Sequence, residues 1–158
     1  MKNIFRIHFP LVLSILIFSV FFTAITVHTF RLNDGALGYA LDDAYIHMSM
    51  AKHLIEHGTW GFSADEFASA SSSPLWTLII AALFMIFGIH ESLPLIVNFL
   101  FSIALLILIH RIFVKEKISP VKSLIAQLFI VFMTPLIVMN MIGMEHTMHI
   151  FINLLFLY

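Results

Sequence analysis

Long apolar runs separated by short polar segments organise this chain, and their lengths predict which helices cross a membrane. Phe9 to Val27 is 19 residues without a charge. At about 1.5 Å per helical residue, that run can cross a hydrocarbon core of about 30 Å, so a first span is expected over residues 9–29. Four more apolar stretches follow, at Leu75–Ile89, Leu93–Ile109, Leu124–Ile142 and Thr147–Tyr158. The 15 residues of Leu75–Ile89, started by Pro74 and ended by Gly88, reach only about 22 Å. They read as an interfacial or re-entrant helix over 74–89, with a full crossing as the alternative. Further spans are expected over 93–110 and 123–142. The last stretch, 147–158, reaches about 18 Å and is an incomplete span, which predicts that the sequence is the N-terminal piece of a longer protein.

Between the first span and Pro74 the pattern changes to helical amphipathicity. From Asp42 to His57, Ala44, Met48, Ala51 and Ile55 form one stripe with Met50 and Leu54 at its edge, and Tyr45, Ser49, Lys52, His53 and Glu56 occupy the other face. A surface-lying helix over 42–57 follows, with Asp42 or Asp43 as N-cap and Gly58 at its C-terminal end. Ala68 to Ser73 is a small-residue link into Pro74-Leu75-Trp76, where the Trp suits the headgroup level. The fold class expected is all-α: a polytopic membrane helical bundle with amphipathic juxtamembrane helices in a long first external loop.

Composition agrees with this class. Hydrophobic residues make up 61% of the 158, against 8 Lys+Arg and 9 Asp+Glu. The formal net charge of −1 offers no basic surface for nucleic acid, and the absence of Cys removes thiolate metal sites. Lys2 and Arg6 precede the first run as in a signal peptide, but that run is too long for one and no cleavage pattern follows. Charge placement then orients the bundle. Arg111, Lys115, Lys117 and Lys122 lie in one short connection, which belongs on the cytoplasmic side with the N-terminus. Residues 31–92 carry seven acids against Arg31 and Lys52 and fall outside, and the 123–142 span delivers Gly143-Met144-Glu145-His146 to that same outer face.

Chemistry is sought where scarce charge sits next to lipid, because ionised groups there persist mainly for binding, conduction or catalysis. Asp42-Asp43 comes first. A helix cap and a dipole-favoured acid explain one Asp well and the second only weakly. Asp43 and His47, four apart, share a helix face. Glu145 is the only acid after Glu116; alone it reads as a helix-start acid, but topology brings it to the face of the Asp pair. Two acidic sites there can hold a divalent cation, with Asp43 and Glu145 as its ligands, or divide acid and base roles. His53 with His57, and His146 with His149, have spacings that suit zinc, yet no H-E-x-x-H motif accompanies them and structural histidines are the better reading. Asn98 and Gln127 inside spans are expected to hydrogen-bond neighbouring helices.

Taken in order, Leu41-Asp42-Asp43-Ala44-Tyr45-Ile46, Ala51-Lys52-His53-Leu54, Gly58, Ser73-Pro74-Leu75-Trp76 and Gly143-Met144-Glu145 resemble the N-terminal part of GT-C-type polytopic glycosyltransferases. Protein mannosyltransferases, lipid A aminoarabinose transferases and mycobacterial arabinofuranosyltransferases belong to this group. The resemblance covers most of this chain and only the first part of such an enzyme. It implies an integral, multi-pass protein of a bacterial-type plasma membrane. That protein would transfer a sugar from a polyprenyl-phosphate donor to a hydroxyl of a glycan, lipid or protein acceptor at the external face. It further implies that Asp42 or Asp43 is the general base, with the other Asp and Glu145 orienting substrate or holding a metal. His47, Lys52 and His146 are the expected substrate-binding residues. The competing expectation is a non-enzymatic membrane protein or remnant that packs against a partner subunit. A transporter would want ionisable residues within the spans, which hold almost none.

Overall fold

A computed structural model describes residues 2–158, with side chains from Arg6 onward, and among the described residues the regular structure is all helical, with no strands. The helices are α1 (Lys2–Leu32), α2 (Asp42–His57), α3 (Pro74–Phe87), α4 (Leu93–Lys115), α5 (Pro120–Met133), α6 (Leu136–Met141) and α7 (His146–Leu157). Two of them, Arg6–Leu32 and Leu93–Lys115, are long and apolar enough to cross a membrane, while α3, α5 and α7 are shorter apolar helices.

Local signals set most boundaries. Pro opens α3 and α5 and lies in the first turn of α4, where its missing N–H costs nothing. Gly58 ends α2 in the left-handed conformation at φ 70° and returns its N–H to the Leu54 carbonyl. Three expectations need correction. The run 123–142 is not one helix: α5 stops at Met133 and α6 starts at Leu136, because Pro135 disfavours helical geometry at Thr134 and withholds an N–H. The N-cap of α2 is Leu41, without a side-chain cap hydrogen bond. Asp42 and Asp43 are the first helical residues, where they oppose the positive end of the helix dipole. Trp76 does not face outward, as contact with headgroups would need; it is fully buried in the core beside Ile80, Ala81 and Phe84 of its own helix.

Packing joins α1, α4 and α5 through aromatic rings. Phe18 and Phe22, one turn apart on α1, stack on Phe99 of α4 at ring centroid separations of 5.6 and 4.9 Å. Phe21 meets Phe132 of α5 edge-on at 5.2 Å. Two polar residues one turn apart on α4 then fasten α6 and the irregular stretch after it. Asn98 Nδ2 donates to the Met144 carbonyl at 2.8 Å, and Ser102 pairs with the Asn140 amide at 2.8 and 3.1 Å. Gln127 differs from its expectation, since it bonds Ser123 of its own helix rather than a neighbour.

The bundle has a basic end and an acidic end. At the first, His8 Nδ1 lies 3.1 Å from His110 Nε2, and Arg6 shares a groove with Pro120. Lys115 there sits 4.6 Å from the centre of the Tyr158 ring. At the other end, the Tyr39 hydroxyl donates to the Glu91 carbonyl, and the turn at Gly143 packs on the segment that starts α2.

Candidate functional site

Two acidic motifs a hundred positions apart meet through the Gly143 turn. Gly143 has φ 76°, a conformation that L side chains rarely adopt, and it presses against the 39–44 segment. A Cβ built there would stand 2.5 Å from the Tyr39 ring and 3.1 Å from Ala44 Cβ. Glycine is thus required twice, for its dihedral and for its lack of a side chain. The following two residues enter the core: Met144 is fastened by Asn98, and Glu145 is only 5% exposed.

Glu145 points at α2. Its Oε2 lies 3.9 Å from His47 Nε2, an electrostatic contact rather than a hydrogen bond, and it has no hydrogen-bond partner among the described residues. His47 is 1% exposed and sits on the face of α2 that packs against α3 and the 71–73 link. Its Nδ1 is 2.8 Å from Thr77 Oγ1 and 3.4 Å from Ser71 Oγ, and its Nε2 is 3.4 Å from Ser72 Oγ. Burial holds the His47 pKa below its ordinary value, with Glu145 and then Asp43 opposing that shift. His47 is therefore a neutral imidazole near pH 7, with one ring nitrogen donating and the other accepting.

Asp42 and Asp43 are exposed at the start of α2, and Asp43 lies one turn before His47 on the same face. Beside them, Tyr45 Oη accepts the Tyr39 N–H at 3.0 Å, and burial raises the Tyr39 hydroxyl pKa, keeping it a neutral donor. The arrangement is a partly covered rim: two solvated carboxylates outside, one buried carboxylate inside, and a neutral imidazole between them.

Two other expected residues take different places. Lys52 is exposed about 140° around α2 from His47, in a groove with Tyr45, Ser49, Phe84 and Glu91. It is not part of the carboxylate cluster. His146 follows Glu145 directly and is half-buried at the first position of α7. His53 and His57 pack edge-on at a ring separation of 5.9 Å. Among the described residues, no group of three His, Cys, Asp or Glu is arranged to hold a metal ion. Sequence reasoning missed Ser71, Ser72 and Thr77, whose hydroxyls surround the His47 ring. A signal was available in the run of hydroxyl residues just before and within the first turn of α3.

No family model, curated protein or solved structure matches the chain.

Proposed function

We propose that this chain forms the N-terminal elements of a multi-pass membrane glycosyltransferase of the GT-C type, acting on a polyprenyl-phosphate-linked sugar at the external face. One observation carries the reading: the Gly143 turn seats Glu145 3.9 Å from His47, one helical turn from Asp43, at the acidic end of the bundle. Such a cluster next to apolar helices suits a donor whose isoprenoid tail stays in lipid while its phosphate reaches water. Large outward-facing apolar side chains support membrane residence: Val12 is 62% exposed, Val121 68% and Ile125 63%. The separation of basic and acidic ends favours a cytoplasmic N-terminus and an external Asp42-Asp43 rim.

In the proposed reaction, the acceptor hydroxyl oxygen attacks the anomeric carbon and the bond from that carbon to the phosphate oxygen breaks. The polyprenyl phosphate leaves with the electron pair. A hydroxyl is a poor nucleophile near neutral pH, so a positioned carboxylate must take its proton. An exposed Asp of the 42–43 pair suits that role, since it can reach a substrate and return the proton to solvent. The test is transfer from a radiolabelled polyprenyl-phosphate sugar by the full-length protein in proteoliposomes. Asp42→Asn or Asp43→Asn should reduce it by about a hundredfold or more, and unchanged transfer in both variants would refute the assignment.

A further inference from the structure

We propose that His47 is a positioning residue, held in one tautomer by a hydrogen-bonded chain that starts at the Ser73 backbone, and that it presents an Nε2–H to the buried Glu145 carboxylate. The first link of the chain has a fixed direction. Ser73 N–H can only donate, and Ser71 Oγ accepts it at 3.2 Å. In the proposed chain the Ser71 hydroxyl gives its hydrogen to Thr77 Oγ1, 3.0 Å away and nearer than His47 Nδ1 at 3.4 Å. Thr77 Oγ1 has two neighbours that can take its hydrogen, the Ser73 carbonyl at 3.4 Å and His47 Nδ1 at the shorter 2.8 Å, and the proposed chain runs through the shorter contact. A neutral imidazole that accepts at Nδ1 carries its hydrogen on Nε2.

The far side of the ring gives the same answer independently. Glu145 Oε2 lies 3.9 Å from Nε2, buried and without a hydrogen-bond partner among the described residues. An Nε2 lone pair facing a carboxylate oxygen lone pair is repulsive, whereas an Nε2–H facing it is attractive. Ser72 Oγ, 3.4 Å from Nε2, is a second acceptor for the same hydrogen. His47 is 1% exposed, so it is placed to act through Glu145 rather than on substrate directly. Its consequence for turnover deepens the transferase reading and rests on it; the tautomer itself does not.

The test has two readouts. In purified protein labelled with 15N-histidine, His47→Gln identifies the His47 resonances by their loss. The expected spectrum is the Nε2–H tautomer with a hydrogen-bonded Nδ1. Thr77→Val should abolish that preference and Thr77→Ser restore it. An Nδ1–H tautomer in the unaltered protein, or a preference that survives Thr77→Val, would overturn the proposal. The second readout is transfer. His47→Gln, which keeps an N–H near the Nε2 position, should retain most of kcat. His47→Asn, whose N–H falls near Nδ1, should lose about tenfold to a hundredfold in kcat with KM little changed. Equal loss in both variants would mean that His47 only fills the core. If the unaltered protein transfers no sugar, the transferase reading fails while the spectroscopic result still decides the tautomer.

Discussion

Replacing Gly143 by Ala should unfold the protein far more readily than the matched replacement at Gly58, and the difference measures how tightly the two acidic motifs are packed. Both glycines have left-handed backbones, at φ 76° and φ 70°, so either substitution carries a conformational cost of about 1–2 kcal/mol. Their surroundings differ. A Cβ at Gly58 meets nothing within 4 Å, whereas one at Gly143 would lie 2.5 Å from two Tyr39 ring carbons and 3.1 Å from Ala44 Cβ. Tyr39 is 9% exposed and its hydroxyl is held by the Glu91 carbonyl, so the ring cannot swing aside freely. Forcing a methyl into such a contact costs about 1–3 kcal/mol more. Gly143→Ala should therefore cost about 2–5 kcal/mol in total and Gly58→Ala about 1–2 kcal/mol. Thermal unfolding in detergent, followed by near-UV circular dichroism, reads the two variants side by side. A gap of about 2–12 °C in midpoint is expected, at about 2–4 °C per kcal/mol for a chain of this size. Equal midpoints would mean that the Gly143 turn does not press on Tyr39 and Ala44, and the convergence of the two motifs would be wrong.

Other consequences follow from the same contacts. Trp76→Ala should destabilise by about 3–5 kcal/mol because a fully buried ring is removed, whereas Trp60→Ala, at a half-buried loop position, should cost clearly less in the same melt. Asn98→Leu removes the hydrogen bond to the Met144 carbonyl and should cost about 0.6–1.7 kcal/mol; no change in midpoint would show that α4 does not anchor the 140–145 segment. The pH dependence also has a definite sign. His47 binds its proton less readily when folded than at its ordinary pKa of 6.5, because it is buried. Its stabilising contribution is thus fully present above about pH 6.5 and is lost as pH falls below that value toward the lowered folded pKa. His47→Gln should shrink the drop in thermal midpoint between about pH 7.5 and pH 5; an identical drop in both proteins would exclude His47 as its source.

Much of the helical layout was legible because it depends on local chemistry. The amphipathic stripe and Gly58 define α2 over Asp42–His57, and Pro74 and Gly88 bracket α3. The break in the 123–142 run was hidden by its unbroken hydrophobicity, although Pro135 lies within it and restricts Thr134. Charged residues do not stop a helix, so α4 continues past Ile109 through Arg111 to Lys115. The candidate site was legible in part. Scarcity of charge singled out Asp42, Asp43 and Glu145, but sequence spacing suggested Asp43 as the partner of His47. The carboxylate within ion-pair distance of that ring comes instead from Glu145, nearly a hundred residues later. Such a contact depends on tertiary packing, through Asn98, Ser102 and the Gly143 turn. For the same reason the hydroxyls of Ser71, Ser72 and Thr77 looked like linker and helix start rather than the surroundings of a histidine.

The proposed topology puts both acidic motifs at one outer rim of a membrane bundle, opposite its basic end. With no native cysteine in the chain, single Cys substitutions at Asp43, Lys115 and His146 can be labelled in intact cells by a membrane-impermeant maleimide. Labelling is expected at 43 and 146 from outside, with 115 labelled only after the cells are permeabilised. Labelling of 115 together with 43 in intact cells, or of 43 and 146 from opposite sides, would contradict it.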